Sequence, residues 1–199
     1  MNRREVLQKS ALVLGYAISA PALAGILKGC KAAPNVAFQP VFFSTAQAYL
    51  VSEVAEIILP RTTTPGAKDV GVPAFIDTML KEVYSAEQQQ RFVTDLEAFD
   101  AEAKQRYGLA FNDCTAEEQK EFVVAKNEEA ITQGASVSEG WWAAGRAHER
   151  PFILKVKELT ILGFFTSEAG ATQVLQYNPA PGPYRGCVPL AEVGKAWAT

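Results

Sequence analysis

Residues 85–108, SAEQQQRFVTDLEAFDAEAKQRYG, decide the fold class. Phe92, Leu96, Phe99, Ala103 and Tyr107 recur every three or four positions, the period of one apolar helix face, and the residues between them are mostly charged or amide-bearing. Ser85 followed three positions later by Gln88 is a capping-box pattern, and Gly108 suits the left-handed residue that ends a helix. The stretch is therefore one long amphipathic helix with a face to bury.

The same signals recur on both sides of it. Ser44-Thr45-Ala46-Gln47 opens a helix to about Leu59, with Leu50, Val54, Ile57 and Ile58 on one face. Pro60 stops that helix, because the residue before a proline avoids helical geometry. RTTTPGAKDVGV, residues 61–72, reads as a loop. Pro73 then stands at a first helical position, followed by the stripe Phe75, Ile76, Met79, Leu80 and Val83. Thr115-Ala116-Glu117-Glu118 caps a further helix whose acids, Glu121 included, favour the positive end of the helix dipole. Its face (Phe122, Val123, Ala130, Ile131) is thin, which predicts a position near the surface. Residues 134–150 read as loop and short helix. From Pro151 to about Thr166 the chain is apolar most of the way round, which predicts a helix buried in a domain core or under a partner. Beyond it, Pro179, Pro181, Pro183 and Pro189 impose an extended, partly polyproline-like course.

No stretch alternates as a strand. The expected fold is all-α: an irregular small helical domain with a Pro-rich extended C-terminal arm. The expected divisions are a leader at 1–30, a linker or arm at 31–43, the helical domain at 44–176 and the tail at 177–199.

The leader reads as an export signal. Arg3-Arg4 precedes the uncharged apolar run 11–27, and Ala22-Leu23-Ala24 has the form of a cleavage site. Paired arginines point to the twin-arginine variety, which addresses cargo that folds before it crosses the membrane. Leu27-Lys28-Gly29-Cys30 resembles a lipobox, with Lys28 atypical of that motif, so Cys30 is a candidate for lipidation. Cleavage without a lipid and retention as a membrane anchor are the competing readings. Spanning a bilayer takes about 20 apolar residues, and the run here is shorter and holds Pro21.

Charge argues against two kinds of partner. The 199 residues include 19 basic and 22 acidic ones. Setting aside Arg3, Arg4, Lys9, Lys28 and Glu5 in the leader leaves a formal charge of −6 on the remainder. An acidic chain without a basic patch argues against nucleic acid, and equally against an acidic membrane surface. Cys114 and Cys187 read equally well as a disulfide of an exported protein and as two separate thiols.

Catalytic and cofactor motifs are missing from the sequence. It has no G-x-G-x-x-G for a dinucleotide, no C-x-x-C-H for covalent haem, and too few cysteines and histidines for a zinc or iron–sulfur site. The single histidine, His148, precedes a helix and reads as a cap or solvent-exposed residue rather than a triad member. Glu53 and Glu56 share a helix, where a solvated face explains them more simply than paired catalytic carboxylates. Thr62-Thr63-Thr64-Pro65-Gly66 offers amides for an anion but lacks the Lys-Ser/Thr ending of a phosphate loop, so a structural turn is the better reading.

Three segments resemble a known family. LPRTTTPGAKDVGVPAFID (59–77) resembles the signature loop and helix of the gluconate 2-dehydrogenase subunit 3 family. LKVKELTILGFFTSEAG (154–170) and LQYNPAPGPYRGCVPL (175–190) extend the likeness, whereas about 85–145 is similar only in helical character. The resemblance implies a small, non-catalytic subunit of a membrane-associated, FAD-dependent sugar or sugar-acid dehydrogenase. Its large subunit, of the glucose–methanol–choline oxidoreductase type, would hold the FAD, and a multihaem cytochrome c would take the electrons in many such complexes. The small subunit would carry the export signal for its partner into the periplasm and stay bound.

The motif and interface candidates are Pro60, Arg61, Thr62, Pro65, Gly66, Gly71, Pro73, Ser167, Glu168, Gly170, Tyr184 and Trp197. Trp141, Trp142 and Arg185 are further residues of the types enriched at binding hot spots, with the two tryptophans reading equally well as ordinary core. The alternative reading is a free-standing helical envelope lipoprotein with a binding or structural role.

Overall fold

A computed structural model describes residues 36–132, 150–177, 180, 182, 183 and 185–198. Every regular element among them is helical. Helix α1 is Thr45–Ile58, α2 Val72–Glu82, α3 Ala86–Tyr107, α4 Ala116–Thr132 and α5 Phe152–Phe165. A 3-10 turn, Phe111–Asp113, joins α3 to α4; a π-helical turn, Gly170–Val174, follows α5; and a four-residue helix α6, Leu190–Val193, lies near the C-terminus. The all-α expectation holds. No helix among the described residues is long and apolar enough to cross a membrane.

The caps read from sequence are the caps observed. Ser44 and Ser85 each form a full capping box, with Gln47 and Gln88 returning to the cap backbone. Thr115 and Glu118 exchange the equivalent bonds at the start of α4. Gly108 ends α3 at φ 75°, and Gly71 precedes α2 at φ 76°, conformations that a residue with a Cβ adopts at a cost.

Helix α5 is the centre of the body and packs against α1, α2, α3 and α4. Its Phe152, Ile153, Leu154, Val156, Leu159, Thr160, Gly163 and Phe164 are buried, as its apolar composition predicted. Two of its residues depart from that pattern, since Ile161 and Phe165 remain exposed. At the crossing with α2, a Cβ on Gly163 would stand 2.6 Å from the Phe75 ring, so the closeness of the two helices depends on that glycine.

An aromatic chain runs through the core from Phe43 to Phe92, Phe152, Phe99 and Phe122, with successive centroids 4.8–5.9 Å apart. Helix α4 covers one flank with Gln119, Phe122, Val123 and Ala130 buried. Ile131, assigned to that face from sequence, is instead exposed, because it lies one residue (about 100° of helical turn) past Ala130. Val83 is exposed for a similar reason: it follows the last residue of α2.

The segment before α1 is built into the body. Asp77, on α2 and 1% exposed, accepts from the backbone N–H groups of Val41 (2.6 Å), Phe42 (3.1 Å) and Phe43 (2.8 Å). Phe43 is buried, and Val36, Phe38 and Phe42 pack against the core. At the other end of the chain, the Gln176 N–H donates to Ala196 and the Ala198 N–H donates to Gln176, while the Gln176 amide reaches the carbonyls of Val193 and Lys195. The tail's last residues are thereby tied back to the start of the tail.

Candidate interaction site

The loop between α1 and α2 holds most of the sequence candidates, and its geometry begins with the last turn of α1. Glu56 points past the helix end, where its Oε1 accepts from the Arg61 N–H (3.0 Å) and its Oε2 from the Lys68 N–H (2.9 Å). One carboxylate therefore bridges both sides of the loop. Glu53, one turn earlier, pairs with the Lys68 ammonium at 2.7 Å. Asp69 closes the other side: its Oδ2 accepts from the Arg61 Nε (2.6 Å) and the Gly66 N–H (2.8 Å), and its Oδ1 takes the second arm of the same guanidinium. Backbone bonds from Ala67 to Leu59 and from Val72 to Ala67 complete the frame.

This arrangement corrects the reading of Glu53 and Glu56 as a solvated helix face. Both carboxylates are half-buried and organise the loop. It also accounts for the anion-binding look of the Thr-Pro-Gly stretch, because the amides of Arg61, Gly66 and Lys68 already bind the chain's own carboxylates. The structural turn is the reading that stands. A Cβ on Gly66 would collide with the Glu56 carboxylate and sit 2.7 Å from the Arg61 nitrogen, so only glycine leaves room for the bridge. The Arg61 guanidinium and the Gly66 N–H hold the Asp69 carboxyl below the usual carboxylate range, and Asp69 in turn raises Arg61. Pro60, Arg61, Thr62 and Thr63 stand exposed on this frame, and Pro65 is half-buried. Gly71 is the N-cap of α2, and Pro73, buried, is the second residue of that helix rather than the first, which is Val72.

Ser167, Glu168 and Gly170 form a second cluster at the end of α5. Ser167 Oγ donates to the Phe164 carbonyl (2.6 Å) and accepts from the Gly170 N–H (3.0 Å). A Cβ on Gly170 would collide with the Phe164 carbonyl oxygen, so glycine is needed here for close approach. Glu168 is exposed.

The remaining candidates are dispersed. Trp197 pairs with Gln176 in an isolated bridge and is 49% exposed beside the exposed Tyr177. Arg185 pairs with Glu192 on the tail. The structure does not bring Cys114 and Cys187 together. Cys187 is an exposed free thiol, whereas Cys114 is half-buried with its Sγ 3.4 Å from the Ala110 carbonyl oxygen. Arg3, Arg4, Cys30, Trp141, Trp142, His148 and Tyr184 lie outside the described residues.

Sequence reasoning missed Asp77. It closes the motif 59–77, and an acid within the apolar stripe of α2 was the available signal.

Comparison with protein families places the loop, α5 and its following turn inside one match: the family model described as gluconate 2-dehydrogenase subunit 3 covers residues 45–182. The chain belongs to the gluconate 2-dehydrogenase subunit 3 family. Membership in that family implies a place in a multi-subunit dehydrogenase. No curated protein and no solved structure matches the chain. The family match takes in Glu56, Arg61, Gly66, Asp69 and Asp77, whereas Val41–Phe43 and the far end of the tail fall outside it.

Proposed function

We propose that this chain is a non-catalytic accessory subunit of a periplasm-facing, FAD-dependent dehydrogenase complex that oxidises a sugar, sugar acid or polyol. It supports export and assembly of the flavoprotein large subunit and remains bound to it. The FAD resides in that partner, and a multihaem cytochrome c is a further partner of the complex. Membrane attachment comes from a lipid on Cys30 or from the complex itself.

The observation that carries this reading is the family match over residues 45–182. Two features support it. A twin-arginine-type leader serves folded cargo, and its presence on a sequence without dinucleotide or haem motifs is explained when the cofactor-bearing cargo is the partner. The loop at 60–71 presents Arg61, Thr62 and Thr63 on a backbone already fixed by Glu56 and Asp69, and such an epitope loses little conformational entropy on docking.

Capture of the full chain from its native envelope tests the reading, with flavin absorbance and dye-linked sugar oxidation measured in the eluate. The expected result is a stoichiometric flavoprotein partner whose export fails in an Arg3→Lys/Arg4→Lys variant. A solitary, colourless chain would overturn it.

A further inference from the structure

The three N–H groups donated to Asp77 make Val41–Phe43 part of the folded body, and the packing of Val36, Phe38 and Phe42 extends that attachment back to Val36. This position sets an upper limit on the length of any tether. Only Lys31–Asn35 separate Cys30 from Val36, the first described residue and one that packs on the core. Six Cα–Cα steps reach at most about 20 Å, even fully extended.

We infer that the face bearing this strap is the membrane-facing surface of the domain, and that its occupant is a layer of phospholipid headgroups. The inference rests on the proposed lipidation of Cys30 and goes beyond it, because a lipid on a long free linker would leave the domain's orientation open. Here the short tether brings the strap face to the bilayer first. Charge favours the same orientation. The chain has no charged side chain from Ala32 to Ser52, whereas the remainder beyond the leader is net acidic and is repelled by anionic lipids. Val41, 60% exposed on this uncharged strip, offers an apolar contact to the headgroup region. The signature loop follows α1, a helix about 21 Å long that starts from the strap.

The test uses the full chain with its leader, in a Cys114→Ser/Cys187→Ser background, carrying a fluorophore on Val41→Cys or on Thr63→Cys. The protein is placed in phosphatidylethanolamine–phosphatidylglycerol vesicles containing a lipid with a nitroxide headgroup, after N-terminal mass analysis for acylation. The expected result is an acylated Cys30 and quenching at least about twofold stronger at position 41 than at 63. A ten-residue Gly-Ser insert between Asn35 and Val36 should abolish that difference. Equal quenching on an acylated chain, or quenching at position 41 that the insert leaves unchanged, overturns the inference and leaves the lipid reading standing. An unacylated Cys30 overturns the lipid reading, and the inference with it.

Discussion

Asp77 shows how one side chain can organise a region that has no secondary structure of its own. Three consecutive backbone N–H groups converge on a carboxylate that solvent hardly reaches. Asp77→Ala is expected to destabilise the domain by roughly 2–3 kcal/mol. Thermal unfolding of the variant would show this as a Tm lowered by about 5–10 °C. Asp69 gives a prediction for pH. Its carboxyl is held below the unfolded carboxylate value, which is about 3.9. Its contribution is therefore complete above that value and is lost as pH falls through the folded one. Amide exchange at Gly66 should stay constant from neutral pH down to about pH 4 once the intrinsic rate is factored out, and should accelerate below it.

At the scale of elements, α5 sets the tolerances. Gly163→Ala forces a methyl group into the Phe75 ring and should cost about 1–3 kcal/mol as overpacking, measured by urea unfolding. Thr160, fully buried on the same helix, has a hydroxyl without a hydrogen-bond partner among the described residues. Thr160→Val should accordingly be neutral or stabilising by up to about 1 kcal/mol in the same assay. The two substitutions alter neighbouring turns of one helix with opposite signs, which separates a packing requirement from an unsatisfied polar group. Helix boundaries are legible in the sequence because they depend on local chemistry: Ser44, Ser85, Thr115 and Gly108 act within a few residues of themselves. The outward turn of Ile131 and Val83 is not legible there, since a stripe of apolar residues specifies a face only to within about one residue.

At the scale of the whole molecule, the question is how the two chain ends relate to the body. Gln176 ties down the last described residues through both its backbone and its side chain. Gln176→Ala should raise hydrogen exchange across residues 190–198 while leaving the unfolding midpoint of the helical body within about 1 °C, because the tail carries few of the buried core residues. If the two parts unfold together, the midpoint will fall as well.

The family resemblance could be read from three motifs, and the family match over residues 45–182 takes in the first two whole and the third as far as residue 182. The sequence alone determined the helical class, the caps of α1, α3 and α4 and the burial of α5, because each follows from hydrophobic period and short-range hydrogen bonding. Tertiary structure alone decided which carboxylates matter. Glu53, Glu56, Asp69 and Asp77 look in sequence like ordinary acids on helices and a loop. Their roles depend on partners 3 to 36 residues away in the chain, backbone amides for three of them and the Lys68 ammonium for Glu53, which only the folded path of the chain brings within 3.1 Å of an oxygen.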